Sequence, residues 1–376
     1  MVLRNNSPYF WRRFIAAVAV IAVAMTWSGH MAAQSVSSLR DQINANTVTV
    51  LSGNANGTYL YIAQDISFVL DDGDDVRILP VVGKGGAQNI RDLLFLRGID
   101  MAIVSSDALG EVANQPQYGN VSAQLRYITK LYNEEMHIMT RKEITSIEQL
   151  NGKKVNFSDA GSGTERTAGI VFDALGVRPD KVNMSQKDGF EQLKAGQIDA
   201  TILVAGKPSG AWRNLQIDMS QFHFLPVPWA EPLRERYFPT KFTHEDYPQL
   251  LGDGESVDTI AASAILAVYN WEPGTDRYQR VERFVDKFFS NIDKFSGPAR
   301  HPKWRETNLT AELGGWTRFE PARKWLETHK SSDPTALRDQ FQRFLNEQAR
   351  GIQLNTEQQE AMFRLFLDWQ KSQRTN

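Results

Sequence analysis

The sequence predicts an α/β protein of two Rossmann-like lobes with a cleft between them, followed by a C-terminal helical extension. A strand–turn–helix pattern recurs in the first third of the chain and again after residue 150, and 376 residues exceed one average domain. An apolar segment at 259–269 would return the chain to the first lobe. We therefore predict lobe 1 from residues 47–136 and 269–376, with added helices from about 300, and lobe 2 from 137–268.

The first lobe is predicted from three strands that each end in a glycine-rich or polar turn. Thr47–Ser52 alternates β-branched and polar residues, and apolar residues at helical spacing follow in Tyr59–Leu70. A second strand at 76–82 leads through the turn Gly83–Asn89 into another helix, and a third strand at 99–104 ends in polar residues. Consecutive strand–helix units build parallel sheets, so the three turns are expected at one sheet edge.

The second lobe repeats this order. A strand at 153–157 precedes the turn Gly161–Thr164 and a helix to Leu175, and a strand at 198–204 ends before Gly206. After Arg277 the apolar spacing is helical. Further helices are predicted after Asp333 and after Thr356, because both positions provide good N-caps.

The N-terminus predicts export to the periplasm. Arg12 and Arg13 precede an apolar run, Phe14–Trp27, which small and polar residues follow up to Ala33. This order is typical of a signal peptide, here residues 1–33, and the run is shorter than the roughly 20 residues of a membrane-spanning helix. Met31 stands where a small residue is usual before the cleavage site, so an uncleaved membrane anchor remains the alternative.

Composition and missing motifs exclude several functions. A formal net charge of −2 argues against nucleic-acid binding, and the absence of cysteine excludes disulfides, zinc–thiolate sites and a cysteine nucleophile. No phosphate-loop, dinucleotide, zinc-helix or G-x-S-x-G motif occurs, so no cofactor or metal is predicted. The acidic run 71–75 reads as a solvated turn and His137 as a core residue. No nucleophile, base or metal constellation supports an enzyme.

Candidate ligand-binding residues lie in the turns that follow the predicted strands. Small residues and hydroxyls at a helix N-terminus favour an anion, because free N–H groups and the helix dipole point there. The alternatives are that Ser162 or Thr164 only caps its helix and that Lys84 and Lys207 are solvated loop lysines. The predicted site residues are Asn56, Gly57, Thr58, Tyr59, Lys84, Gly85, Gly86, Ala87, Ser105, Ser106, Asp107, Ser162, Gly163, Thr164, Gly206 and Lys207.

These stretches resemble the solute-binding subunits of TRAP transporters of the TAXI type, which have the type II periplasmic-binding-protein fold. The resemblance covers roughly Thr47 to Trp271, and its motifs are specific in combination. The sequence departs from the family pattern at Lys84–Ala87, where a turn with a hydroxyl is usual, and at Asn54–Asn56, where glycines are usual. The stretches that carry the resemblance are Gly53–Ile62, Val82–Leu94, Gly98–Asp107, Ser146–Gly176, Leu193–Ala200 and Gly206–Pro208.

The resemblance implies a receptor that captures a small carboxylate-bearing solute, an amino acid or an organic acid, by lobe closure. The closed form would deliver the solute to the membrane permease subunits of a TRAP transporter. The alternative is a periplasmic sensor or adaptor that binds a small solute and signals to a protein partner.

Overall fold

Residues 38–329, except 40, 42, 56 and 74, are described by the computed structural model, and they form a ten-stranded mixed sheet flanked by helices. The principal strand order is β2 (Arg77–Val81), β1 (Thr47–Leu51), β3 (Met101–Ser105), β10 (Ser256–Tyr269), β4 (Leu125–Arg141), β7 (Ala200–Ala205), β5 (Lys154–Asn156) and β6 (Asp180–Val182). In addition, β8 (Phe222–Phe224) pairs with β4, and β9 (Phe238–Thr243) pairs with β10. The predicted signal peptide and the helices predicted after Asp333 and Thr356 lie outside the described residues. None of the described helices is long and apolar enough to cross a membrane.

The first lobe begins with three strand–helix units. β1 pairs in parallel with both β2 and β3, which confirms the predicted parallel sheet. Because the three strands are parallel, their carboxyl ends and the turns that follow them lie at one edge of the sheet. The units are β1 (Thr47–Leu51), α1 (Thr58–Leu70), β2 (Arg77–Val81), α2 (Gly86–Phe95), β3 (Met101–Ser105) and α3 (Ser106–Ala113), followed by the short helix α4 (Val121–Gln124).

Two long antiparallel strands, β4 (Leu125–Arg141) and β10 (Ser256–Tyr269), connect the lobes. The sequence predicted a strand or a pair of strands near β4, and the structure has a single strand of 17 residues. Its first part pairs with β10, and its last part, from Glu135 to Thr140, pairs with β7. The proposed lobe boundaries fall within these two strands.

The second lobe repeats the parallel arrangement, since β5 pairs in parallel with β6 and with β7. The strands β6 and β8 have three residues each and were not predicted, because three residues are too few to show alternation. The elements are β5 (Lys154–Asn156), α5 (Gly163–Ala174), β6 (Asp180–Val182), α6 (Gln186–Lys194), β7 (Ala200–Ala205), α7 (Gly210–Arg213), β8 (Phe222–Phe224) and β9 (Phe238–Thr243).

The C-terminal part of the described chain belongs to the core of the first lobe. α8 (Asp276–Ser290) buries one face, as its apolar spacing predicted, and α9 (Glu320–His329) packs against it. The Trp304 side chain lies in the same cluster and donates its indole N–H to Asp65 at 2.9 Å. The described segment from residue 300 to 329 therefore packs on the core of the first lobe.

Candidate ligand-binding cleft

A cavity of about 1200 Å³ lies between the two lobes. Its walls come from the turns after β1, β2 and β3 on one side and from the starts of α5 and α6 and the end of β7 on the other. Open α/β sheets bind ligands at the carboxyl ends of their strands, where free backbone groups converge.

One buried side chain holds the turns of the first lobe together. Asn89 on α2 donates through Nδ2 to the carbonyls of Ser52 and Ile103, at 2.9 and 2.8 Å. Its Oδ1 accepts from the N–H of Gly85 at 3.1 Å. Asn89 therefore fixes the ends of β1 and β3 relative to the glycine turn, a positioning role that sequence reasoning did not assign to it.

The turn before α5 presents hydrogen-bonding groups to the cleft. Ser162 is the N-cap, since its Oγ accepts from Glu165 N–H at 3.1 Å, and Thr164 Oγ1 accepts from Val204 N–H at 3.0 Å. Capping, the alternative weighed for these hydroxyls, therefore holds for Ser162, whereas Thr164 links its helix to the end of β7. Both residues also line the cavity, and among the described residues no group accepts from the N–H of Thr164.

The lobes meet at two glycines. Gly163 donates its N–H to the carbonyl of Lys84 at 3.4 Å. A Cβ at Gly86, where φ is +53°, would lie 3.1 Å from the Cα of Gly163. This close approach and the left-handed backbone both require glycine at position 86.

The structure brings many of the predicted residues to this cavity and places others elsewhere. Asn56 lies outside the described residues. Those that line the cavity are Gly57, Thr58, Tyr59, Lys84, Gly85, Ser105, Ser162, Gly163 and Thr164. Those that do not line it are Gly86, Ala87, Ser106, Asp107, Gly206 and Lys207.

Asp107 joins the lobes to each other. Its buried carboxylate accepts from the hydroxyls of Thr167, at 2.7 Å, and Tyr237, at 3.0 Å, both from the second lobe. A second contact between the lobes is the ion pair of Arg166 with Glu111, at 2.6 Å. Asp107 was predicted to bind the ligand, and in the structure its carboxylate instead accepts hydrogen bonds from the other lobe.

The remaining predicted residues also have protein partners. Lys207 Nζ pairs with Asp246 at 2.8 Å, and Ser106 Oγ accepts from the N–H of Ser263 at 3.1 Å. The Gly206 carbonyl accepts from the hydroxyl of Thr58 at 3.5 Å. Ala87 lines a second, smaller cavity of about 590 Å³ on the other side of the glycine contact.

Glu134 is a cavity residue that sequence reasoning missed. It stands on β4, is only 6% exposed, and accepts at Oε2 from the hydroxyl of Tyr59 at 2.6 Å. Burial raises the pKa of Glu134 to about 8, opposed by the Tyr59 hydrogen bond. The signal that could have found it is the pair of adjacent acidic residues, Glu134 and Glu135, inside a predicted strand.

Two further cavity residues carry buried oxygens that have no hydrogen-bond partner within the described part of the chain, Ser105 Oγ and Gln186 Oε1. Gln186 Nε2 donates to the carbonyl of Ile202 at 2.5 Å. Because a carbonyl can only accept, this bond fixes the orientation of the amide, and Oε1 remains an acceptor. Unpartnered buried polar atoms are uncommon in native proteins, so these two point to a bound partner.

A buried network lies beneath the cavity. Lys303 is 1% exposed, and its ammonium contacts Glu135 at 2.6 Å and Glu306 at 2.7 Å. Nearby, His137 has both ring nitrogens within hydrogen-bond distance of protein groups, including Tyr247 Oη at 2.7 Å. His137 is fully buried in the core, as predicted, and this burial lowers its pKa to about 3. Within the described residues, no three histidine or acidic side chains are grouped to hold a metal ion.

Two α/β lobes joined by two long strands, with strand-end turns facing each other across a cavity, define the type II periplasmic-binding-protein fold. The chain belongs to the NMT1-like family, whose model matches residues 50–308.

Three solved structures are similar to this chain. A putative L-cystine ABC transporter from Listeria monocytogenes is 14% identical and matches over 67% of this chain and 92% of its own, with a TM-score of 0.41. A periplasmic binding protein from Brucella ovis with glutathione bound is 13% identical over 74% and 80%, with a TM-score of 0.40. A protein from Xanthomonas citri bound to ATP is 10% identical over 76% and 96%, with a TM-score of 0.42.

Proposed function

We propose that the protein is the periplasmic solute-binding receptor of a TRAP-type transporter of the TAXI class. It captures a small carboxylate-bearing solute, an amino acid or an organic acid, and its closed form delivers the solute to the membrane permease subunits. The observation that carries this proposal is the cavity of about 1200 Å³ whose walls are strand-end turns from both lobes. Membership of the NMT1-like family and the motifs that resemble TAXI receptors support the transporter class.

The carboxylate of the solute binds at the start of α5. The unpaired N–H of Thr164 and the positive end of the helix dipole favour an anion there, and the hydroxyls of Ser162 and Thr164 retain their protons for donation. Lys84, an exposed cation at the rim of the same cavity, adds attraction for an anionic group. Closure of the lobes then removes water from these contacts, which strengthens them.

Isothermal titration calorimetry with L-amino acids and small organic acids tests this function. We expect Ser162→Ala to weaken solute binding about tenfold, because one hydrogen bond to a charged group is lost. Thr275 provides the control, since it caps α8 far from the cleft by accepting from Tyr278 N–H at 3.3 Å. Thr275→Ala should cost about 1 kcal/mol of stability, as any lost N-cap does, and leave affinity unchanged.

Two results would refute the function. One is the absence of binding to every amino acid and organic acid in the panel. The other is wild-type affinity in each of the variants Thr58→Ala, Ser162→Ala and Thr164→Ala.

The contacts between the lobes predict that closure can be weakened without touching the solute. Tyr237→Phe removes a hydroxyl that lies outside the cavity and donates to Asp107 across the lobe boundary at 3.0 Å. Thr167 still donates to the same carboxylate, so we expect a loss of about 1.5–3 kcal/mol from the closed form. Small-angle X-ray scattering should show a larger radius of gyration. An unchanged radius together with unchanged solute affinity would refute a role in closure.

A further inference from the structure

The carboxyl group of Glu134 lies at the floor of the cleft, and the protein donates a hydrogen bond to one of its two oxygens. Glu134 is only 6% exposed. Tyr59 is the hydrogen-bond partner that the described residues provide, and it occupies Oε2. The other oxygen, Oε1, is left to accept from whatever fills the cavity.

The other unsatisfied side-chain oxygens of the cavity also lack donors. Gln186 Oε1 can only accept, because its amide nitrogen is fixed on the Ile202 carbonyl, and none of the residues that the structure describes bonds to Ser105 Oγ. Ser105 pairs with Ala264 on β10, and Ala264 pairs with Tyr132, two residues before Glu134. Ser105 and Glu134 therefore stand two strands apart, roughly 10 Å across the sheet, at the floor of one cavity.

The anion-binding turn lies close to this floor. A Cβ placed on Gly85 would be 3.7 Å from the backbone nitrogen of Gly163 and 3.7 Å from the ring of Tyr59. The start of α5 and the tyrosine that holds Glu134 thus flank a single point. A solute of a few heavy atoms can contact both.

We propose that Glu134 determines the solute class by binding a protonated amine, so that the receptor selects amino acids over organic acids that lack an amine. This inference rests on the proposed function and sharpens it. The carboxylate of the solute binds at the start of α5, and its ammonium group donates to Glu134 Oε1. An ionised carboxylate and a buried ammonium compensate each other, whereas a second carboxylate would lie against Glu134 without a counter-charge.

The proposal fixes how binding depends on pH. The charged and titratable groups around Glu134 are Tyr59, Asp107, Glu135, Lys303 and the hydroxyl of Tyr132. Burial holds the pKa of the empty receptor's Glu134 at about 8, so the group is protonated at neutral pH. An ammonium ion lowers that pKa, and binding releases a proton. Affinity for an amino acid therefore rises with pH up to about 8, by at most about tenfold per pH unit.

The experiment is calorimetry with paired probes, each L-amino acid beside the acid that lacks its amine: glutamate with glutarate, aspartate with succinate, alanine with propionate. We expect the amino acid of at least one pair to bind and its partner to bind at least about 30-fold more weakly. Glu134→Gln should weaken the amino acid by a similar factor and abolish its pH dependence. Tyr59→Phe removes the hydrogen bond that lowers the Glu134 pKa, so the pH profile should move to higher pH.

Glu191 provides the matched control, because it is a carboxylate at the same cavity whose exposed side chain pairs with Lys194 at 2.6 Å. Glu191→Gln should keep both the affinity and its pH dependence. Two results would overturn the amine assignment and leave the receptor function intact. One is equal binding of both members of every pair. The other is an amino-acid affinity that falls between pH 6 and 8 and is retained in Glu134→Gln. The second result would mean that a protonated Glu134 donates to an acceptor on the solute. If none of the probes binds, both proposals fail.

Discussion

Replacing Lys303 by methionine should lower the free energy of unfolding by about 3–5 kcal/mol at pH 8, because it leaves a buried carboxylate without its counter-charge. The Lys303 ammonium is 1% exposed and contacts Glu135 at 2.6 Å and Glu306 at 2.7 Å. Methionine keeps most of the side-chain volume, so the packing against Gly206 and Tyr132 is retained and the change is mainly electrostatic.

The loss should depend on pH with a defined sign. Burial raises the pKa of Glu135 to about 7 even with Lys303 present, whereas an unfolded glutamate titrates near 4.5. A raised pKa in the folded state means that stability falls as pH rises between these two values. Without Lys303 the pKa of Glu135 rises further, so stability continues to fall above pH 7. The difference between wild type and Lys303→Met should therefore be small near pH 5 and large at pH 8.

Urea denaturation at both pH values measures this difference. The control is the double variant Lys303→Met/Glu135→Gln, in which the orphaned charge is removed and the N–H of Lys207 keeps an acceptor. It should recover most of the lost stability. A single variant as stable as wild type at pH 8 would show that the ion pair is not what holds the 302–306 segment on the first lobe.

The fold could be predicted from the sequence because its signals are local. Each strand of the first lobe is followed by glycines or hydroxyl residues and then by helical apolar spacing, so β1, α1, β2 and β3 agree closely with their predicted bounds. The helix α2 begins at Gly86, inside the predicted turn Gly83–Asn89. The helix α3 is not predicted, because Ser105, Ser106 and Asp107 are interpreted as the polar end of the third strand. β9 was missed as well, because its residues show no clear alternation between buried and exposed positions.

The candidate site could be predicted only in part, because several of its residues are positioned by contacts with residues distant in the sequence. The turns were found through their glycines and hydroxyls. The Lys207 side chain, however, pairs with Asp246, 39 residues further along the chain, and does not line the cavity. Glu134 becomes a cavity residue only through the register of β4 and β10, together with Tyr59 from α1. The adjacent acidic residues Glu134 and Glu135 in a predicted strand were the available sign, and they do not show what the two carboxyl groups face.

The largest effect on binding should come from Gly163→Leu, which we expect to weaken solute affinity at least about 100-fold, or about 2.7 kcal/mol. A Cβ at position 163 would already lie 3.4 Å from the backbone nitrogen of Gly86, and the rest of a leucine would fill the space where the lobes meet. The lobes are then held apart, and the solute contacts one wall of the cavity instead of two. The backbone φ at Gly163 is not positive and leucine is a good helix former, so the lobes themselves should keep their stability.

Gly169→Leu is the matched control, because it places the same side chain on the same helix where a Cβ meets nothing within 4 Å. Calorimetry and small-angle scattering should show weak binding and an expanded form for Gly163→Leu, with both properties of wild type in Gly169→Leu. Wild-type affinity in Gly163→Leu would contradict capture by closure. A compact Gly163→Leu protein that fails to bind would instead mean that leucine fills the anion-binding turn. Gly163→Ala distinguishes blocked closure from a blocked turn, since a single methyl group meets Gly86 at a tolerable distance and leaves the turn open.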